Sequence, residues 1–157
     1  MSSLTILNQA PHRSAALLVH LARHMRVRSE AAVAPLGLKA RHLIALTVLR
    51  DQRGSTQAAL ATTLGVDRTN LVGLLNELEC QKLIERRRSS EDRRRHTVEL
   101  TDTGAELLAK AEFALAAAED EVLAALDREQ REALYGLLQL ATAETPASCV
   151  AAEASPA

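Results

Sequence analysis

Arginine is concentrated in one short stretch of this chain. Lys82 to Arg95 carries seven positive and three negative residues: Arg86-Arg87-Arg88, then Ser89-Ser90-Glu91-Asp92, then Arg93-Arg94-Arg95. A charge run alone is an ordinary solvated face. Guanidinium groups, however, are planar forks of donors that match phosphate oxygens and base edges. A second group, Arg68-Thr69-Asn70, lies upstream, directly after Asp67. Arginine can donate two hydrogen bonds to guanine, asparagine can pair bidentately with adenine, and threonine can meet a base or a phosphate. The chemistry these residue types allow is recognition of a nucleic-acid duplex.

The elements that must position them follow from pattern. Met1 to about Pro11 has no usable periodicity. Ala15 to about Ala34 is an Ala/Leu/Val-rich helix, interrupted by Pro35-Leu36-Gly37. Lys39 to about Arg50 is a second helix with Leu43, Leu46, Thr47 and Arg50 along one side and Ile44 beside them. After the Gln52-Arg53-Gly54 turn, Ser55-Thr56 supplies an N-cap for a short helix from Gln57 to Leu64. Gly65 can turn the chain with positive φ at little cost. Asp67 caps a fourth helix to about Gln81, with Leu71, Leu74, Leu75 and Leu78 inward.

Leu83–Arg88 and Arg95–Leu100 alternate as strands, Ile84 sharing a face with Arg86, around a hairpin tip at 89–94. Thr101 and Asp127 cap two further helices; Asp127 and Gln130 have capping-box spacing. The last helix carries Leu134, Leu137, Leu138 and Ala141 on one face. Residues 145–157 are Ala/Ser/Pro-rich and read as disordered.

Two short helices joined by a tight turn, with Leu60, Leu64, Leu71 and Leu74 as shared core and small Ala61 at the crossing, read as helix-turn-helix. The basic hairpin directly behind them makes it winged. The expected fold is mainly α, with a small β-hairpin wing. In this geometry Arg68, Thr69 and Asn70 face base edges, Gly73 permits close backbone approach, and Asn76 reaches a phosphate. Arg86, Arg87 and Arg88 suit phosphates. Arg93 or Arg94, in the cluster with Arg95, suits a narrow minor groove, and Asp92 orients a neighbouring arginine.

Leu64 to Glu79, continued by Leu83-Ile84-Glu85-Arg86, resembles the recognition segment of MarR-type regulators, the multiple-antibiotic-resistance regulator family. Asp92 to Gly104 is similar to that family's wing signature, an Asp-Arg pair followed by Val-x-Leu-Thr-x-x-Gly. The resemblance covers about residues 13–143 and is sharpest at 57–104. It implies a homodimeric bacterial transcription factor, usually a repressor. Lys82 departs from it, standing where the family usually has a glycine, so that it must accept a left-handed conformation or the helix must end differently.

The implied organisation is an arm at 1–12, a dimerisation helix at 13–35, the winged domain at 36–100, dimerisation helices at 101–144 and a tail at 145–157. The resemblance also implies a small anionic or phenolic effector held between the dimer helices and the winged domain. His20, Arg23, His24 and His42 are the polar candidates to line such a pocket.

Composition agrees with this reading. The net charge is −1, but residues 1–100 carry 16 Lys/Arg against 9 Asp/Glu (+7), and residues 101–157 carry 3 against 11 (−8). A basic working surface is thus set apart from an acidic remainder. The first and last helices carry more apolar surface than one small winged domain covers, and two-fold pairing would bury it while matching palindromic half-sites.

No cofactor, metal or catalytic residue is expected. There is no phosphate-binding glycine loop, nucleophile elbow or zinc-protease motif, and His20 with His24 lacks a third ligand. Cys80 and Cys149 make no disulfide framework. Without an apolar run long enough to span a bilayer, or a leader pattern, the expected location is the cytoplasm. Competing readings are a sequence-independent DNA-coating protein and a winged helix used for protein contact.

Overall fold

The structure, a computed structural model, describes residues 13–88 and 96–143. Expectations for the arm, for Asp92, Arg93, Arg94 and Arg95, and for the tail with Cys149 lie outside the described residues.

Helix α1 (Ala15–Val33) runs into a 3₁₀ turn at Ala34–Leu36, which Gly37 closes at φ 69°. Then come α2 (Ala40–Gln52), β1 (Ser55–Thr56), α3 (Gln57–Leu64), α4 (Arg68–Cys80), β2 (Ile84–Arg88), β3 (His96–Leu100), α5 (Asp102–Val122) and α6 (Arg128–Thr142). The mainly helical winged architecture agrees with expectation, with one addition. The sheet has three antiparallel strands in the order β1-β3-β2, not a hairpin alone. Ser55 pairs with Val98 and Thr56 with Thr97, while Thr56 also caps α3 by accepting from the Ala59 N–H. Two residues are too short for an alternating pattern, so only the cap was legible.

One core joins the elements. Leu46, Leu49, Leu60, Leu71, Leu75, Leu78, Ile84, Val98 and Leu108 are all buried within it. The inward stripe of α2 differs from the expected one. His42, Ala45, Leu46 and Leu49 face in, Leu43 is half-buried, and Ile44 is exposed. The true stripe begins with a histidine, and so the apolar pattern pointed one step around the helix. Helix α5 packs along α1, and Arg28 pairs with Glu121 between them; Arg50 pairs with Glu112 to tie α2 to α5. Among the described residues, α1 buries only Val33 and α6 buries none.

Candidate nucleic-acid interface

Helix α4 is set by its two ends. At its start the Asp67 carboxylate accepts from the N–H groups of Thr69 (2.9 Å) and Asn70 (3.0 Å). These bonds, that of Asn70 first, hold the Asp67 carboxyl below its usual range. Gly65 at φ 64° makes the preceding turn. Arg68, Thr69 and Asn70 therefore stand on the exposed first turn, as the sequence predicts. The Asn70 amide is turned back onto Asp67, so in this conformation it braces the cap it follows. Gly73 is exposed, and a Cβ there would meet nothing within 4 Å.

At its far end α4 closes with a Schellman motif. The Lys82 N–H donates to the Glu79 carbonyl (2.9 Å) and the Leu83 N–H to that of Leu78 (3.0 Å), with Leu78 and Leu83 both buried. Lys82 takes φ 59°, the left-handed conformation in which a glycine would be unstrained. The departure at this position is thus accommodated without altering the helix end. Thr101, the N-cap of α5, locks the same corner. Its Oγ1 donates to the Lys82 carbonyl (2.7 Å) and its N–H to the Leu83 carbonyl (3.1 Å).

Between its ends α4 is held from two sides. On the α2 side, Glu77 accepts two hydrogen bonds from Arg41, at 2.6 and 2.7 Å, and lies 2.8 Å from His42 Nε2. His42 is 2% exposed, and its Nδ1 accepts from the Lys39 N–H (3.2 Å). That bond places the ring proton on Nε2, where it is donated to Glu77. Bonding to His42 first, then to Arg41, holds the Glu77 carboxyl below its usual range. On the wing side, Arg86 donates to Asn76 Oδ1 (2.8 Å) and pairs with Glu79 (3.3 Å).

Arg87 pairs with Glu85 (2.6 Å) and Glu99 (3.6 Å), so its guanidinium answers two carboxylates that oppose each other across the β2–β3 register. Arg88 is exposed at the outer end of β2, opposite His96. The expected interface residues Arg68, Thr69, Asn70, Gly73, Asn76, Arg86 and Arg88 are therefore all on α4 or β2. Within that group, Asn76 and Arg86 are bonded to each other.

The four pocket candidates do not share one setting. His20 and Arg23 border a shallow depression of about 390 Å³ along α1 with Ala15, Ala16 and Val19. His24 is exposed farther along the same helix, and His42 is committed to the α4 contact. Sequence reasoning missed Arg41 and Glu77. Their contact joins residues 36 positions apart, and no local spacing marks it. Among the described residues no cluster of three metal-ligating side chains occurs, and no single helix is long and apolar enough to cross a membrane.

Comparison with known proteins gives the same picture. The MarR family profile matches residues 36–95. A putative transcriptional regulatory protein for the hcr operon of Thauera aromatica is 37% identical over 106 residues, 66% of this chain and 64% of that protein. The match thus spans somewhat less than two thirds of that relative's length. The structure of the transcriptional repressor CouR bound to a 23-mer DNA duplex matches with a TM-score of 0.68 at 32% identity, over 85% of this chain and 99% of CouR. Wild-type apo MarR from E. coli matches in fold, with a TM-score of 0.73 at 22% identity over 85% of this chain and 98% of that one. With the capped recognition helix, the wing strands and nearly all of CouR matched, the chain belongs to the MarR family.

Proposed function

We propose that this chain is a transcriptional repressor that reads a palindromic operator as a homodimer and is released by a small anionic or phenolic effector. The observation that carries this reading is the exposed first turn of α4. Asp67 caps it, and it presents Arg68, Thr69 and Asn70 beside an arginine-rich wing. Major-groove readers of this shape use the N-terminal residues of the second helix on base edges. CouR, a repressor bound to a DNA duplex and matched over almost its whole length, supports the same role.

The dimer reading rests on apolar faces that are exposed among the described residues. Leu137 is 66% and Leu140 77% exposed on α6, and Leu17, Leu18 and Val19 are exposed on α1. A second copy is the partner that covers both ends of the chain at once. The effector reading keeps His20, Arg23 and His24 as pocket candidates and assigns His42 a share through its bond to α4. The reading calls for no cofactor, metal or catalytic step, and it places the protein in the cytoplasm.

The test is binding to the DNA flanking the chain's own gene, against scrambled DNA, across a series of salt concentrations. Preference for the flanking DNA that survives physiological salt is the expected result. Equal binding to both with a steep salt dependence would favour the DNA-coating alternative, and no binding to either would favour a protein-contact module.

A further inference from the structure

The alternation of β2 decides which way its arginines point. Ile84 is buried against the core, so Arg86, two residues on, stands on the same inward face. Its register partner is Val98, which is fully buried. The Arg86 side chain consequently leaves the sheet toward α4. One guanidinium nitrogen reaches Asn76 at 2.8 Å and the other reaches Glu79 at 3.3 Å. Its Nε is buried and bonds to nothing among the described residues. Asn76 and Glu79 are three apart on α4 and share a face, so one planar fork spans both.

A guanidinium held in this way is oriented by the protein itself. One donor on each terminal nitrogen is turned to the recognition helix, Nε is buried, and the side chain is only 26% exposed. We infer that Arg86 is a positioning residue that fixes the wing against the recognition helix through Asn76 and Glu79. The inference rests on the DNA-binding reading above and assigns Arg86, Asn76 and Glu79 a different task within it. The two surfaces that enter neighbouring grooves are separated by the turn at Gln81–Leu83. A brace across that turn sets the angle between them before DNA arrives, so that binding does not have to spend free energy ordering it.

Glu79 separates the two roles by sign. Removing a carboxylate near a polyanion strengthens binding if its only effect is electrostatic, and it would also release Arg86 toward phosphate. Removing one anchor of a brace weakens binding instead. The experiment measures affinity for the flanking operator at fixed salt for wild type, Glu79→Ala, Arg86→Lys and the double variant. Urea midpoints and helix content are followed in parallel.

A brace predicts that Glu79→Ala binds about tenfold more weakly, the scale of a hydrogen bond to a charged group. It predicts that Arg86→Lys does not rescue, because an ammonium keeps the charge but cannot span both partners. It also predicts that the double variant is no weaker than the worse single one. Tighter binding by Glu79→Ala, or near wild-type binding by Arg86→Lys, would overturn the inference. If Arg86→Lys fails to fold, the sign of the Glu79→Ala effect decides alone, since Glu79 is half exposed on α4. A wild-type protein with no preference for the operator defeats the DNA reading itself, and the inference with it.

Discussion

Replacing Gly104 by alanine sets two effects of opposite sign against each other. Gly104 lies in the first turn of α5, where alanine is the better helix former by about 1 kcal/mol. An added Cβ, however, would stand 2.1 Å from the Leu83 carbonyl oxygen, 2.9 Å from its carbon and 2.8 Å from a Leu100 methyl. The Leu100 methyl can rotate away. The Leu83 carbonyl cannot easily retreat, because the same residue closes the end of α4 through its N–H and its oxygen accepts from Thr101. Overpacking of this kind costs about 1–3 kcal/mol, and a shift that also breaks the Thr101 bond adds about 1 kcal/mol. The expected net loss is about 2 kcal/mol. With a urea slope of about 2 kcal/mol/M, the unfolding midpoint should fall by about 1 M. The assay is urea unfolding followed by circular dichroism at a fixed protein concentration. Gly73→Ala is the control, since a Cβ there meets nothing within 4 Å and should raise stability by about 1 kcal/mol. A Gly104→Ala midpoint equal to or above wild type would refute the packing argument.

The other expectations use the same elements. Although Gly73→Ala stabilises the fold, it should weaken operator binding if the backbone approaches DNA there; unchanged affinity removes that role. Lys82→Gly should relieve the left-handed strain and stabilise the protein by up to about 1 kcal/mol, less what glycine adds to the freedom of the unfolded chain, as read by thermal unfolding. Leu137→Glu, on the exposed apolar face of α6, should shift the protein toward monomer in sedimentation and remove cooperative operator binding; an unchanged mass would send the interface elsewhere. Glu77 supplies a pH signature. Its native carboxyl lies below the ordinary value of 4.5, so its bonds to His42 and Arg41 stabilise the fold fully above that pH. The stability gap between wild type and Glu77→Gln should therefore be present at pH 7, shrink as pH falls below about 4.5, and close below the lowered native value. A gap that does not change with pH would show that the clamp is not charged.

Much of the fold was legible because caps and leucine spacing agree with one another. Thr56, Asp67, Thr101 and Asp127 each cap the helix they precede, and the four inward leucines of α4 are all buried. What pattern could not show was polar tertiary contact. Nothing local reveals that His42 will meet Glu77, 35 positions away. Arg86 shares a face with Ile84, but residue type alone did not show that its guanidinium meets Asn76 and Glu79 on α4. The exposed apolar stripe of α6 was visible as amphipathicity, but a stripe does not identify what covers it. Strand β1 went unread because its pairing depends on β3, some forty residues later.

The corner where Lys82, Leu83 and Thr101 meet also has a mechanical meaning. Two hydrogen bonds from Thr101 tie the end of α4 to the start of α5 across the base of the wing, so that a tilt of one helix passes to the other as in a bell crank. At 1.5 Å per residue the 21 residues of α5 form an arm of about 31 Å, and the 13 of α4 one of about 20 Å. A displacement of about 3 Å at the far end of α5, beside Arg28 and Glu121, is a tilt of about 6° at the corner. It swings the opposite tip of α4, where Arg68 stands, by about 2 Å. That exceeds the tolerance of a hydrogen bond to a base edge, so the long helix sets how accurately the short one is aimed.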